Sequence, residues 1–459
     1  MIKRVKWLNN PILGNLELDF TKPDGSTYNT ILFIGENGCG KTTALETLSE
    51  FLSGGSIEPI DYIDYTVDGI NIRATQKPLK PDSSLDSNGA RNGFHYQIDL
   101  DNNKQLFIIR TAHQYREGKV NDKYDIRTKG CVYSKARSGY KTEPITTIRT
   151  SQMDDNKYDK DASDDFSYLK QLLVDLETQD NSDAVLMLRE KKLSSIEECD
   201  KISRISRFSS SFNGFFDNIK FLKVDNNNKK EKQILFKKYG AQINLDDLST
   251  GEKQIVFRGT FLLRNSKTLS NGFVFIDEPE LSMHPKWQEK ALNYYRGLYT
   301  SSGTQTTQMF FASHSEHIVK SAVKDKDDTL IIILKSGPTG VTATKMDTTL
   351  VLPTITSAEI NYKAFGVNAV DYHIALYARL QDIKSCPTVK AMDDYIKLQL
   401  QFNPSMHYIA SSYVDVNGHT HTYDTLPTFV RNAIDHPDSN RTFSYDEIKT
   451  SISLMETLL

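Results

Sequence analysis

The 459-residue sequence lacks several features that would assign it to a specialised class of protein. It has only four cysteines, and these are far apart with no C-x-x-C pair, which argues against a disulfide framework or a zinc site and predicts buried, reduced thiols. No apolar run reaches the roughly 18 residues of a membrane span, and the opening MIKRVKWLNN does not resemble a signal peptide. We therefore expect a cytoplasmic protein with no membrane partner.

A strong net charge is also missing. Lysine and arginine number 56 against 59 aspartate and glutamate, so the formal net charge is −3. A balance this close to neutral gives no overall attraction to nucleic acid, so any such contact has to rest on a local patch. The composition, 38% hydrophobic and 25% charged, is typical of a soluble globular protein, and the length allows two or three domains.

The stretch GENGCGKTT, residues 35–43, matches the phosphate-binding pattern G-x-x-x-x-G-K-[ST] without a mismatch. An apolar run at 30–34 predicts a strand before it, and the helix-prone ALETLSEFL follows it, which is the context that the motif requires. Lys41 is predicted to reach the β- and γ-phosphates, and Thr42 to ligate Mg²⁺. The predicted nucleotide-binding residues of this loop are Gly35, Glu36, Asn37, Gly38, Cys39, Gly40, Lys41, Thr42 and Thr43.

Two carboxylates follow a second apolar strand. Residues 273–276 are all apolar, which predicts a strand buried on both faces, as in a parallel sheet. Asp277 and Glu278 come next, at the end of the strand where open α/β sheets bind their ligands. Asp277 is predicted to hold Mg²⁺, and Glu278 to polarise a water aimed at the γ-phosphate.

Two further stretches extend this predicted site. Ser249, Gly251 and Glu252 precede an amphipathic helix. Taken alone, this pattern is more often a helix capping box than a ligand site, but its position just upstream of the acidic strand favours a role in nucleotide binding. A later apolar strand ends at His314, one helical crossover after Asp277, and His314 is predicted to sense the third phosphate.

The rest of the first 350 residues predicts strands at 2–20, 62–73 and 94–110 and a helical segment at 164–216. Residues 153–200 carry 14 aspartates and glutamates against six lysines and arginines, whereas 201–238 carry ten lysines and arginines against three aspartates and glutamates. Either the basic half binds polyphosphate or the two halves pair with each other, and we favour the pairing.

The order of the motifs GENGCGKTT, LSTGEKQ, FVFIDEPELSMHP and ASHS resembles the ATP-binding-cassette (ABC) ATPases of the chromosome-maintenance (SMC) and DNA-repair branch. The resemblance implies an α/β fold over residues 1–350: an ABC ATPase head with a mixed sheet, a phosphate-loop core and a short helical insertion at about 154–223. It implies ATP and Mg²⁺ as cofactors, with Lys41, Glu278 and His314 as catalytic residues. Gln97 and Gln114 are the candidates for the glutamine loop of these proteins.

The same resemblance implies a homodimer, in which the signature 249–252 of one copy closes on the γ-phosphate held by the other; a higher oligomer stays open. Compact ATPases of this kind are similar to the overcoming-lysogenisation-defect nucleases, the Septu and PARIS defence ATPases and the PrrC-like anticodon nucleases. This similarity implies the sensor or gate of an antiphage system that controls a nuclease effector acting on tRNA or another nucleic acid. An ATPase for DNA repair or chromosome structuring is an alternative.

Residues 351–459 lie outside the resemblance and predict a mainly α-helical C-terminal domain with a β-hairpin around Asn417-Gly418, which would carry an effector or bind a partner. Arg431, Asn432 and His436 resemble the R-[polar]-x(3–5)-H pattern of the HEPN ribonucleases, in which Arg and His act on RNA without metal. They imply a self-contained ribonuclease as a further alternative. The competing interpretation is the end of a surface helix.

Overall fold

The computed structural model describes residues 1–77, 79, 95–109, 124–136, 158–160, 167–225, 232–264, 271–301, 303–338, 340–346, 351–414, 418–436 and 441–459. The chain divides into two compact units, Met1–Asp347 and Thr348–Leu459.

The strands, numbered along the chain, are β1 (Ile2–Trp7), β2 (Glu17–Asp19), β3 (Thr30–Ile34), β4 (Ile60–Val67), β5 (Ile70–Thr75), β6 (His95–Asp99), β7 (Lys104–Ile109), β8 (Cys131–Ser134), β9 (Tyr158–Lys160), β10 (Ile219–Asp225), β11 (Gln233–Lys238), β12 (Ala241–Asn244), β13 (Phe273–Asp277), β14 (Thr300–Ser301), β15 (Thr304–Gln305), β16 (Gln308–Ser313), β17 (Thr329–Gly337), β18 (Gly340–Lys345), β19 (Tyr408–Val414) and β20 (Thr420–Thr425).

The α-helices are α1 (Lys41–Leu52), α2 (Ser167–Arg189), α3 (Ile196–Ile202), α4 (Arg204–Phe215), α5 (Thr250–Leu263), α6 (Pro285–Leu298), α7 (Glu316–Lys324), α8 (Ser357–Phe365), α9 (Ala369–Ile383), α10 (Val389–Lys397), α11 (Pro404–His407), α12 (Leu426–Asp435) and α13 (Tyr445–Leu458).

A seven-stranded sheet in the order β18-β17-β3-β16-β13-β8-β9 organises the first unit. Its neighbours run parallel except for the β17–β18 hairpin, so the sheet is mixed. Strands β3, β13 and β16 are buried along their whole length, as expected of parallel strands with both faces covered. The carboxyl ends of these three strands therefore meet at one edge of the sheet.

A second, antiparallel sheet has the order β2-β1-β4-β5-β6-β7. Helix α1 is amphipathic, and its buried residues share one hydrophobic core with both sheets. The predicted strands at 62–73 and 94–110 are each a hairpin rather than a single strand. The left-handed turn at Asp68 and Gly69, with φ of 49° and 83°, reverses the chain between β4 and β5.

The helical segment comprises α2, α3 and α4, and it packs near the three-stranded sheet β10-β11-β12. It is narrower than the predicted insertion at 154–223, because β9 and β10 occupy the ends of that range. Arg204 of the basic half donates to Asp180 of the acidic half at 2.9 Å, and both side chains are buried. This contact is of the kind that pairing between the two halves predicts.

The second unit is mainly helical. Helices α9, α12 and α13 contribute most of its hydrophobic core, and β19 and β20 form an antiparallel hairpin. The predicted α/β class, with a helical C-terminal region and a β-hairpin, is confirmed; Asn417 in the predicted turn lies outside the described residues. In the parts of the chain that the structure describes, no helix is long and apolar enough to cross a membrane. All four cysteines are buried free thiols, as predicted.

Candidate nucleotide-binding site

Three strand ends bring the predicted motifs together. The parallel register places Ser313 of β16 beside Ile34 of β3, and Ala312 beside Asp277 of β13. The loop after β3, the carboxylates after β13 and His314 after β16 consequently lie at the same edge of the sheet. This is the edge at which parallel α/β sheets bind ligands.

The loop between β3 and α1 has the backbone of a phosphate cradle. Gly35, Gly38 and Gly40 have φ of 149°, 82° and 86°, a region that side chains rarely adopt. A Cβ at Gly35 would lie 2.2 Å from the Leu334 carbonyl oxygen, and one at Gly40 would lie 2.6 Å from Leu13 Cδ2. The loop is thus held tightly against its neighbours and requires glycine at these two positions.

Lys41 begins helix α1, and its side chain folds back over the loop. Its Nζ donates to the carbonyl oxygens of Gly35 at 2.7 Å and Glu36 at 2.8 Å, and the residue is only 8% exposed. The ammonium group therefore lies inside the curl of the loop, where anionic oxygens would be bound.

Thr42 and Asp277 are 235 positions apart in the sequence and in direct contact in the fold. The Thr42 hydroxyl donates to Asp277 Oδ2 at 2.9 Å. Asp277 is 6% exposed, and burial raises the pKa of its carboxyl, an effect opposed by the Thr42 hydrogen bond and by the charge of Arg258. A hydroxyl and a carboxylate side by side form the pair of oxygen ligands that Mg²⁺ prefers.

Glu278 and His314 lie side by side at the same edge of the sheet. Glu278 has φ of 45°, an uncommon value for a residue with a side chain, and its N–H donates to the Ala312 carbonyl at 2.9 Å. One of its carboxylate oxygens lies 3.7 Å from His314 Nδ1. Both side chains are partly exposed, so each is accessible to a ligand or a water.

Arg258 supports the turn that carries the two carboxylates. This buried residue of helix α5 donates to the carbonyl of Glu278 at 2.8 Å and also to the carbonyl of Asp277. It further donates to Ser134 Oγ at 2.7 Å and to the Lys135 carbonyl at 2.9 Å, at the end of β8. The three nitrogens of one guanidinium thus tie α5 to two strand ends and stabilise the unusual backbone at Glu278.

Glu280 lies behind His314. It is 4% exposed, and burial raises the pKa of its carboxyl. Its Oε1 accepts hydrogen bonds from Ser313 Oγ at 2.8 Å and from the N–H of His314 at 3.1 Å.

The predicted signature is a helix N-terminus. Ser249 caps α5 and forms a capping box with Glu252, whose carboxylate also pairs with Lys238 at 2.9 Å. A Cβ at Gly251 would lie 2.6 Å from the Ser282 carbonyl oxygen, so only glycine fits there. The capping box anticipated from the pattern is therefore present. Within the described chain, neither Ser249 nor Glu252 contacts the phosphate loop.

The C-terminal residues Arg431, Asn432 and His436 lie on the last turn of α12 and at its end. Arg431 pairs with Asp435 at 2.6 Å and donates to Asn432 Oδ1 at 2.9 Å, so its guanidinium is held on its own helix. Asn432 is buried. Leu426 and Val430 of the same helix are buried in the core of the second unit. Pro437, which would follow the helix, lies outside the described residues.

Sequence reasoning missed Arg258 and Glu280. The signals were present: Arg258 is a lone charge inside the apolar run IVFRGTFLL, and Glu280 is the third acid of DEPE. Of the two glutamine candidates, Gln97 is fully buried in the antiparallel sheet, away from the sheet that carries the loop, and Gln114 lies outside the described residues.

Solved structures similar in fold include SMC head domains. One, bound to the C-winged-helix domain of ScpA, has a TM-score of 0.40 at 10% identity over 75% of this chain and 98% of that chain. The head of the Thermotoga maritima protein has a TM-score of 0.34 at 12% identity, over 75% and 98%. A Pyrococcus furiosus head with an extended coiled coil, bound to the C-terminal domain of ScpA, has a TM-score of 0.36 at 13% identity, over 75% and 96%.

No curated protein matches the sequence. The family described as "AAA domain, putative AbiEii toxin, Type IV TA system" matches residues 31–320, which include the phosphate loop, the acidic strand and His314. Because this match spans more than half of the chain and the site geometry agrees with it, the protein belongs to this family of AAA-type ATPase domains.

Proposed function

We propose that this protein binds and hydrolyses ATP with Mg²⁺, and that two copies close around the nucleotide. The observation that carries the proposal is the hydrogen bond from Thr42 to Asp277, which joins the phosphate loop to the acidic strand. The carboxyl edge of a parallel α/β sheet is where such folds bind their ligands, and both motifs lie there. The family match over this region supports the same conclusion.

The residues at this edge fit a magnesium ion bound together with ATP. Thr42 and Asp277 would hold the ion through a hydroxyl and a carboxylate oxygen, together with phosphate oxygens of the nucleotide. When bound, Mg²⁺ would neutralise charge on the β- and γ-phosphates. The charge of the ion would also favour the ionised form of Asp277, whose pKa burial raises.

The side chains of the site divide the remaining work. Lys41 would exchange its two loop carbonyls for phosphate oxygens, which are stronger acceptors because they are charged. Glu278 would orient and polarise the attacking water, and His314 would contact the γ-phosphate. The loop N–H groups and the start of α1 would hold the phosphates in line for attack.

The closure of two copies is supported by the separation of the predicted signature from the phosphate loop and carboxylates of the same chain. Ser249 stands nine residues before Arg258, about 13 Å along the helix axis, and it is exposed. Thr250, the first residue of the helix, is also exposed, and the N–H groups of a helix N-terminus can donate to an anion. In a pair of copies, this terminus would face the γ-phosphate held by the phosphate loop of the partner.

We further propose that closure controls a toxic nuclease activity in defence against phage. The family description, which names a putative toxin of a type IV toxin–antitoxin system, supports a toxic output. Coupling toxicity to nucleotide closure would keep the activity off until ATP is bound or hydrolysed. The second unit, Thr348–Leu459, would carry the effector or bind an effector protein.

The central experiment compares Glu278→Gln with Lys41→Ala. Glu278→Gln removes the group that polarises water, so it should lower the rate of ATP hydrolysis at least about a hundredfold and trap ATP in a closed dimer. Lys41→Ala removes the buried ammonium and should abolish nucleotide binding. Phosphate release, binding of a fluorescent ATP analogue and the molar mass with and without ATP measure the three outcomes.

Whether each variant still folds is checked by comparing its unfolding midpoint with that of the parent. Hydrolysis by Glu278→Gln at the parental rate would show that the chemistry assigned here is wrong. A trapped, ATP-bound protein that stays monomeric at every concentration would contradict the closed pair while leaving the assignment of hydrolysis intact.

The defence role is tested in cells. A bacterial host carrying the gene with its neighbouring genes should reduce phage plating, and Lys41→Ala should restore it, because a protein that cannot bind ATP cannot close. Plaque counts and the integrity of total RNA and DNA after infection measure the effect and the target. Equal protection by the parent and by Lys41→Ala would refute control by nucleotide.

A further inference from the structure

Glu280 has no part in the hydrolysis outlined above, although it is buried beside the site. Removing a carboxylate from water is costly, so a carboxylate that stays buried is normally held by hydrogen bonds to the groups that need it. The partners of Glu280 therefore indicate its role.

The contacts of Glu280 point to the end of β16. Its Oε1 accepts from the Ser313 hydroxyl at 2.8 Å and from the His314 backbone N–H at 3.1 Å. The same oxygen lies 3.5 Å from His314 Nδ1. The carboxylate thus contacts both the backbone and the ring of His314.

A second link holds the same two segments together. The Ser315 hydroxyl donates to Gln288 Oε1 at 2.6 Å, and Gln288 Nε2 donates to the Met283 carbonyl at 3.0 Å. The backbone on both sides of His314 is therefore fixed to the segment that follows β13. With the backbone fixed, the imidazole of His314 can move only by rotation about its own side-chain bonds.

Two carboxylates compete for one nitrogen of that ring. His314 Nδ1 lies 3.7 Å from Glu278 Oε1 and 3.5 Å from Glu280 Oε1. Glu280 is buried and anchored, whereas the Glu278 side chain is about one-third exposed. Glu280 can therefore hold the imidazole ring, and the carboxylate of Glu278 stays free to move.

We propose that Glu280 is a positioning residue that holds Nδ1 of His314, so that Nε2 is presented to the γ-phosphate and Glu278 remains available for water. This inference rests on the proposed ATP hydrolysis. A carboxylate on one ring nitrogen commonly sets the proton position and the orientation of the other. Glu280 would act only through His314, and not on the nucleotide.

A double-mutant cycle tests this dependence. Glu280→Gln keeps the shape of the side chain but removes its charge, so it should lower kcat about tenfold and leave the KM for ATP within about twofold. In a His314→Ala background the same change should alter kcat by less than about twofold, because the group it positions is gone. Ser313→Ala, which removes a donor to Oε1, should lower kcat in the same direction.

The matched control is Glu359→Gln in the second unit. Glu359 is also buried, with a pKa raised by burial and a hydrogen bond from the Val351 N–H at 2.9 Å. Its replacement should leave kcat unchanged. A parent that does not hydrolyse ATP overturns the proposed function and this inference with it. A parent that hydrolyses ATP, with Glu280→Gln at the parental kcat or an equal loss in the His314→Ala background, overturns this inference alone.

Discussion

At the scale of single residues, the site depends on ionisable groups that are almost completely buried. Lys41 and Asp277 are each less than a tenth exposed, and each is stabilised by nearby hydrogen-bond partners rather than by water. Such groups are ready to exchange these partners for phosphate oxygens or a metal ion, because little water has to be removed first. Arg258 stabilises this site by donating hydrogen bonds to backbone carbonyls. Contacts with the backbone do not show in the pattern of side chains along the sequence.

Buried histidines elsewhere in the chain predict how stability depends on pH. Burial lowers the pKa of His373, and likewise that of His95, from 6.5 to about 3. Below pH 6.5 the unfolded chain therefore binds protons that the folded chain does not bind, so the free energy of unfolding falls as the pH falls from 6.5 towards 3. At pH 5.5 each histidine should cost about 1.4 kcal/mol relative to high pH.

The variant His373→Gln separates the contribution of His373 to this pH dependence from that of His95. The glutamine cannot titrate, and it retains a polar group near Ser451, the hydrogen-bond partner of His373 at 2.8 Å. The loss of unfolding free energy between pH 7.5 and pH 5.5 should be smaller in this variant by about 1.4 kcal/mol. Denaturant titrations at the two pH values measure this difference. An identical loss in the variant and the parent would contradict the assignment.

At the scale of elements, the start of helix α5 has two separable roles. Its capping box stabilises the helix, and the same N-terminus is proposed to bind the γ-phosphate of a partner copy. Helix α13 of the second unit offers the matched control, because Ser444 and Glu447 form the same capping box there. A comparison of the two caps isolates nucleotide binding from helix stability.

Ser249→Ala and Ser444→Ala should each lower stability by about 1 kcal/mol, the usual cost of losing a cap. Only Ser249→Ala should also weaken ATP-dependent pairing in the Glu278→Gln background, because it alone alters the phosphate-facing helix end. Molar mass across a range of ATP concentrations measures pairing. If the two variants pair equally well, the signature role of Ser249 is wrong.

The sequence predicted elements best where a periodic pattern was continuous. The buried run before Asp277 was predicted, because an apolar run is a local signal. The hairpin of β4 and β5 was missed as a pair, although Asp68-Gly69 is a strong turn signal. The helical period predicted at 164–216 agrees with helices α2 to α4, which lie between Ser167 and Phe215.

At the scale of the whole molecule, one chain contains both halves of the proposed site without joining them. The phosphate loop, the carboxylates and His314 converge at one sheet edge, and the cap of α5 does not contact the loop in the described chain. In the proposed pair, a second copy would supply the half of the site that this loop lacks. Pairing would then depend on ATP, and an effector that responds to pairing would respond to ATP.

The sequence by itself determined the motifs, their order and the class of the fold, because these follow from local patterns: glycines in a loop, apolar runs and acids at a strand end. The tertiary structure alone decided that Glu280 faces His314 and that Arg258 holds the backbone of Asp277 and Glu278. The reason is physical. Such contacts depend on the register of parallel strands and on the packing of a helix from a remote part of the chain, and neither is encoded in any short window of residues.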